Sequence, residues 1–124
     1  MQSGDELREV DQDANPGAWR VFKIEELVRG VGTGEPRFQE FLHTPTLSCA
    51  VYTIPAGARD MQAPHLEDEI YFVLAGRATL KIGEQEHKVS TGHILYVQAT
   101  TEHTFFQIEE DLVLIAIFGP YRPR

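Results

Sequence analysis

The stretch Pro64-His65-Leu66-Glu67-Asp68-Glu69-Ile70-Tyr71-Phe72-Val73-Leu74-Ala75-Gly76 decides how this chain folds. It opens on a histidine and three acidic residues, passes into an apolar run, and stops at a glycine. His65 and Glu69 are four positions apart. Side chains of an extended chain alternate, so His65, Glu69, Tyr71 and Val73 share one face, while Ile70, Phe72 and Leu74 share the other. A second imidazole, His103, opens a later strand-like run. Two histidines and a carboxylate, brought together from neighbouring strands, make a divalent-metal site with open positions. The rest of the chain is expected to build the barrel that unites them.

From residue 37 onward the pattern is all strand. Residues 37–43, 47–54, 70–74, 78–82, 85–89, 94–97, 103–108 and 112–118 are short β-rich runs. Between them stand turn residues: Thr44-Pro45, Pro55-Ala56-Gly57, Gly76, Gly83-Glu84, Ser90-Thr91-Gly92 and Glu109-Glu110-Asp111. Gly83-Glu84 suits a two-residue hairpin with glycine first. Eight or nine strands at regular spacing predict an antiparallel sandwich or barrel, an all-β fold. Upstream, residues 19–22 alternate as an edge strand and residues 23–29 suit a short helix ended by Gly30. Residues 1–15 are acidic and turn-forming, a mobile arm; residues 16–124 form one domain.

With 124 residues the chain can bury about two-thirds of its unfolded surface as one domain. Its 42% apolar and 24% charged composition is that of a globular protein. Net charge is −8, with lysines and arginines scattered singly, which argues against a nucleic-acid partner. No apolar run approaches the ~20 residues a membrane helix needs, and residues 1–13 carry no signal-peptide pattern. A cytoplasmic protein is expected. The single cysteine, Cys49, lies in an apolar run and suits a small core residue without a disulfide.

The remaining histidines are less suited to chemistry. His87 sits in a polar strand end, His43 at a strand end before Thr44-Pro45, and His93 just after the Gly92 turn. His65 and His103 differ because each flanks an apolar strand and each has a mate.

These residues resemble the cupin superfamily. Its first motif is a glycine, five residues, His-x-His, three or four residues, Glu, six residues and Gly; Gly57, His65, Glu69 and Gly76 match it. The second motif, Gly-x5-Pro-x-Gly-x2-His-x3-Asn, is matched at Gly92 and His103, with Gln98, Thr100 and Gln107 at its other fixed positions. Gly76 and Gly92 lie sixteen positions apart, as in compact bacterial members. The resemblance implies a single double-stranded β-helix, or jelly-roll, barrel preceded by a short strand and helix. It also implies a divalent transition metal (Mn, Fe, Ni or Zn) on His65, Glu69 and His103. Ala63 stands where the family places another histidine, and the Gln62 amide oxygen beside it is a weak substitute. Gln98 and Thr100 replace the proline and glycine of the second motif, so that turn needs another source of its geometry.

By parity Tyr71, Val73, Phe105 and Gln107 line the interior. Ile70, Phe72 and Leu74 form an apolar outer row that requires cover from Trp19, Phe22 and Leu27 or from a second subunit, and a homodimer is expected. The ligand nitrogens must be unprotonated, so metal binding should weaken below about pH 6.5. The leading functional reading is a metal-binding cupin that holds a small chelating organic molecule, as a dioxygenase, isomerase or decarboxylase. The alternative is a non-catalytic binding or sensing barrel, with or without metal. Fold alone does not choose between them.

Overall fold

The computed structural model describes residues 18–30, 34–60 and 66–119. The acidic arm expected at residues 1–15 lies outside this range. After one helical turn, α1 (Ile24–Leu27), come six strands: β1 (Arg37–Thr44), β2 (Leu47–Ile54), β3 (Glu69–Ile82), β4 (Gln85–Ser90), β5 (Ile94–Val97) and β6 (His103–Phe118). They form one antiparallel sheet in the order β1-β2-β6-β3-β4, with β5 also paired to β3. The fold is all-β and jelly-roll-like, as expected, but among the described residues the sheet is not closed into a full barrel.

Among the described residues the count falls from eight or nine strands to six because two expected breaks are bends. Residues 70–74 and 78–82 join through Gly76 into β3, and residues 103–108 and 112–118 join through residues 109–111 into β6. β3 and β6 then pair along their whole length, from Glu69 opposite Phe118 to Ile82 opposite His103. Three register shifts interrupt this ladder, between Val73 and Ala75, Ala75 and Arg77, and Arg77 and Thr79. Each extra residue kinks and twists its strand, so the ribbon bends at mid-length. At the bend the Glu109-Glu110-Asp111 run stays in the ladder. Arg77 pairs with it, 3.5 Å from Glu109 and 3.3 Å from Glu110.

The tight turns fall where expected. Ile82 pairs with Gln85 around Gly83-Glu84, with Gly83 at φ 58°. Thr44 pairs with Leu47 across Pro45-Thr46, where the Thr44 hydroxyl donates to the Leu47 carbonyl at 3.2 Å. Residues 19–22 form no strand; they are exposed, and Phe22 packs edge-on against Phe41 with ring centroids 5.0 Å apart. The helix shrinks to Ile24–Leu27, because so short a segment begins at Lys23 without a side-chain cap and Gly30, at φ 87°, stops it.

Inward-facing residues of β2, β3 and β6 make the core. Ile54, Tyr71, Leu80, Phe105, Leu112 and Leu114 are each at most 2% exposed. Burial of each large side chain is worth about 1.5–3 kcal/mol. Tyr71, Val73 and Phe105 face inward as parity predicts, but Gln107 does not. It is exposed and adopts φ 49°, which turns it out of the strand and hands its interior place to Ile108, 5% exposed. α1 lies over β1 and β2, where Leu27 and Arg29 line a shallow cleft with Arg37, Gln39, Val51 and Thr53. It does not cover the outer row of β3. Ile70 and Phe72 remain 38% and 39% exposed, opposite Tyr96 and Ile94 at 61% and 63%.

Gly76 is the residue on which the bend turns. Its φ is 97°, and a Cβ there would fall 2.2 Å from the Asp111 carbonyl oxygen. Gly76→Ala should therefore cost about 3 kcal/mol or more in urea unfolding, from strain plus a backbone clash. Gly83→Ala, where a Cβ meets open space, should cost only about 1 kcal/mol.

Candidate metal centre

Glu69 opens β3 between two neighbours, opposite Val97 of β5 on one side and Phe118 of β6 on the other. It is 1% exposed. His103 opens β6 and is 5% exposed. In the ladder these residues sit at opposite ends, Glu69 against Phe118 and His103 against Ile82. Along a straight ribbon they would be about 40 Å apart. Instead His103 Nε2 lies 3.1 Å from Glu69 Oε1. The ribbon has curled until its two ends meet.

A strained turn completes that approach. Thr100 has φ 62°, a left-handed conformation that β-branched residues rarely adopt. Here a threonine holds the backbone shape that the glycine of the second motif would supply. Three hydrogen bonds keep it there. The Ala99 N–H donates to Asp68 Oδ1 at 2.8 Å, Thr101 N–H to the Gln98 carbonyl at 3.1 Å, and the Thr100 hydroxyl to the Ala99 carbonyl at 2.6 Å. The Asp68 carbonyl also accepts the Gly119 N–H at 3.0 Å. Asp68 thus has a positioning role that its place in an acidic run did not reveal. The turn presents the Thr101 carbonyl to His103 Nδ1 at 2.9 Å. A carbonyl only accepts, so Nδ1 carries a proton and Nε2 is the nitrogen offered to Glu69 and Tyr71.

Tyr71, 0% exposed, places its hydroxyl 3.1 Å from the same Nε2. Phe105 packs edge-on against the phenol ring, with centroids 5.1 Å apart. Asp60 forms a second polar cluster. Its carboxylate accepts the Tyr52 hydroxyl at 2.5 Å and the Phe105 N–H at 2.8 Å, pinning the chain just ahead of residues 61–65 to the His103 strand. Nothing in the spacing of Asp60 singled it out.

Glu69 and His103 are the expected site residues that the structure brings together. His65 and Gln62 lie outside the described residues. Among the described residues no third His, Cys, Asp or Glu joins the pair into a ligand cluster. The other histidines are elsewhere: His87 is exposed, His43 approaches Glu40 at 3.4 Å on the surface, and His93 Nδ1 accepts the Ser90 N–H within its own turn.

The donor set suits a transition metal. Both Glu69 oxygens are buried, and neither completes a hydrogen bond, although Oε1 stands close to Nε2. A buried carboxylate left this way is costly unless a cation meets it. Adjacent ligands at bonds of about 2.1 Å stand about 3 Å apart, which is the Nε2–Oε1 separation.

Without metal the two groups form an ion pair. Burial pulls the His103 imidazole down, but the Glu69 carboxylate, the Thr101 carbonyl and the charge of Asp60 outweigh it and hold the group above its ordinary value. A raised value in the folded state stabilises the fold while His103 is protonated. That contribution is complete below the unfolded value of about 6.5 and is lost as pH rises through the folded value. Metal-free protein should therefore lose stability above about pH 6.5 in thermal scans, and His103→Gln should remove the pH dependence.

Comparison with known proteins agrees with this architecture. A cupin-domain family model matches residues 50–118, more than half of the chain. An uncharacterised protein of Streptomyces coelicolor is 35% identical over 101 residues, covering 82% of this chain and 96% of that protein. Among solved structures, TT1209 of Thermus thermophilus has a TM-score of 0.69 at 18% identity, covering 83% of this chain and 98% of that one. A cupin of Methanocaldococcus jannaschii with a double-stranded β-helix fold scores 0.65 at 16% identity, covering 73% and 84%. KdgF of a Halomonas species scores 0.63 at 24%, covering 76% and 86%. The chain belongs to the cupin family.

Proposed function

We propose that this cupin holds one divalent transition metal on His65, Glu69 and His103 and uses its remaining positions to bind a small chelating molecule. The observation that carries the reading is the Glu69 carboxylate, fully buried, with Oε2 unmatched and Oε1 met only by His103 Nε2. Such a group costs stability in a protein that has no use for it. Two neutral imidazoles and a carboxylate suit Mn, Fe, Ni or Zn, and leave room for an oxygen-donor ligand. When bound, the metal supplies Lewis acidity or oxygen activation, the chemistry of an isomerase, decarboxylase or dioxygenase. The chain's own residues supply a buried Glu69 and His103, positioned by the Asp68-braced turn and the Thr101 carbonyl. A cytoplasmic setting, in which a buried lone Cys49 stays reduced, fits the same reading.

A metal-free binding barrel is the second reading, favoured by the His103–Glu69 ion pair, which partly satisfies the site on its own. Metal analysis separates the two. Purified protein should carry about one transition metal per chain, lost in His65→Ala and His103→Ala. Glu69→Gln should also lose metal. Wild type without metal, unmoved in stability by added Mn, Fe, Ni or Zn, would sink the reading. Oxygen uptake with catechols, diketones and thiols then tests for a dioxygenase.

The outer face points to self-association. Ile70, Phe72, Ile94 and Tyr96 form one contiguous apolar patch on β3 and β5, uncharged in a chain of net charge −8. With the half-buried Ile115 and Ile117 beside them on β6, they could supply the core of a standard interface of about 800 Å² per partner. A second copy would cover its own equivalent patch with no unpaired charge. Light scattering should give a dimer mass for wild type and a monomer mass for Phe72→Glu; a monomeric wild type would refute it.

A further inference from the structure

We propose that Tyr71 is a further metal ligand, its phenol oxygen supplying a donor to the ion beside Glu69 and His103. This inference rests on the metal reading above and goes beyond it, because the donor set inferred there holds only imidazole and carboxylate.

The geometry singles Tyr71 out. Its hydroxyl lies 3.1 Å from His103 Nε2, the same separation at which Glu69 Oε1 stands. Two oxygens thus flank one nitrogen at the spacing of adjacent ligands on a single ion. Tyr71 follows Glu69 by two residues on β3, so the pleat points both side chains to the same interior face. The ring has little freedom to leave. It is 0% exposed, meets Phe105 edge-on, and its backbone is fixed between Leu95 on β5 and Ala116 on β6.

The chemistry agrees with the geometry. A phenolate is a hard, anionic oxygen donor, stronger than the amide of Gln62 and far stronger than the methyl of Ala63. On binding, the oxygen–metal bond replaces the O–H bond and the proton passes to water. Two neutral imidazoles, one carboxylate and one phenolate carry two negative charges. That set neutralises a divalent ion and leaves a trivalent one with a single net positive charge. Such a site favours iron or manganese over zinc and nickel. An anionic chelator would then complete the coordination.

Iron makes the proposal visible. Wild-type protein loaded with Fe(III) should show a phenolate-to-iron charge-transfer band in the visible, and resonance Raman excitation within it should enhance tyrosinate ring modes. Tyr71→Phe removes one oxygen from a packed ring. It should keep the wild-type circular dichroism spectrum, lose the band, and bind iron at least about tenfold more weakly in equilibrium dialysis. Iron bound to wild type without the band or the ring modes, or a band that persists in Tyr71→Phe, overturns the assignment while leaving the metal site standing. Wild type that takes up no iron, manganese or other divalent metal overturns the metal reading and Tyr71 with it.

Discussion

The β3–β6 ribbon has to curl, and everything at the candidate centre follows from that. Two strands of 14 and 16 residues pair from end to end, with Glu69 and His103 at opposite limits of the ladder. Twist alone does not bring such ends together. The register shifts around residues 73–79, the positive φ of Gly76 and the outward turn at Gln107 concentrate the bending at mid-length. One strand pair thereby contributes to two walls of the interior. Gly76 is irreplaceable in this scheme because the Asp111 carbonyl occupies the space a side chain would need.

What the curl delivers is costly to keep. Glu69 is buried with one oxygen unmatched and the other met only by His103, and Thr100 sits in a backbone conformation that its β-branched side chain resists, a strain of about 1–3 kcal/mol. The two departures are linked through Asp68 and Ala99, the chain neighbours of Glu69 and Thr100, and both are held by neighbours rather than by local preference. Asp68 accepts the Ala99 N–H, Thr101 accepts His103 Nδ1, and Asp60 ties the preceding loop to Phe105. A sequence selected only for stability would put glycine at position 100 and an apolar residue at 69. Local rules broken together in one place mark a functional site.

Much of this was legible residue by residue. Alternation named Tyr71, Val73 and Phe105 as interior and Ile70 and Phe72 as exterior, because the pleat has a fixed period of two. Turn chemistry located Gly83-Glu84 and the turn at Thr44-Pro45. The rule failed where the period broke. Gln107 shared parity with His103, but a bulge reversed it, and bulges leave no simple mark in a sequence. Residues 109–111 looked like a turn because all three are acidic; in the folded chain that run lies on the outer side of a bend, where charge meets water and Arg77.

The sequence alone determined an all-β chain and paired Glu69 with His103, since these depend on composition, period and spacing; the gap at Ala63 followed only from the resemblance to the cupin motif. Only the tertiary structure decided that the pair meets by the closing of a curled ribbon rather than across one rung of a ladder. It alone placed the Thr101 carbonyl on Nδ1, the Asp68 carboxylate under a strained threonine, and the Tyr71 hydroxyl 3.1 Å from Nε2. The physical reason is that side-chain parity is local, whereas curvature is the sum of several bulges acting over a whole strand.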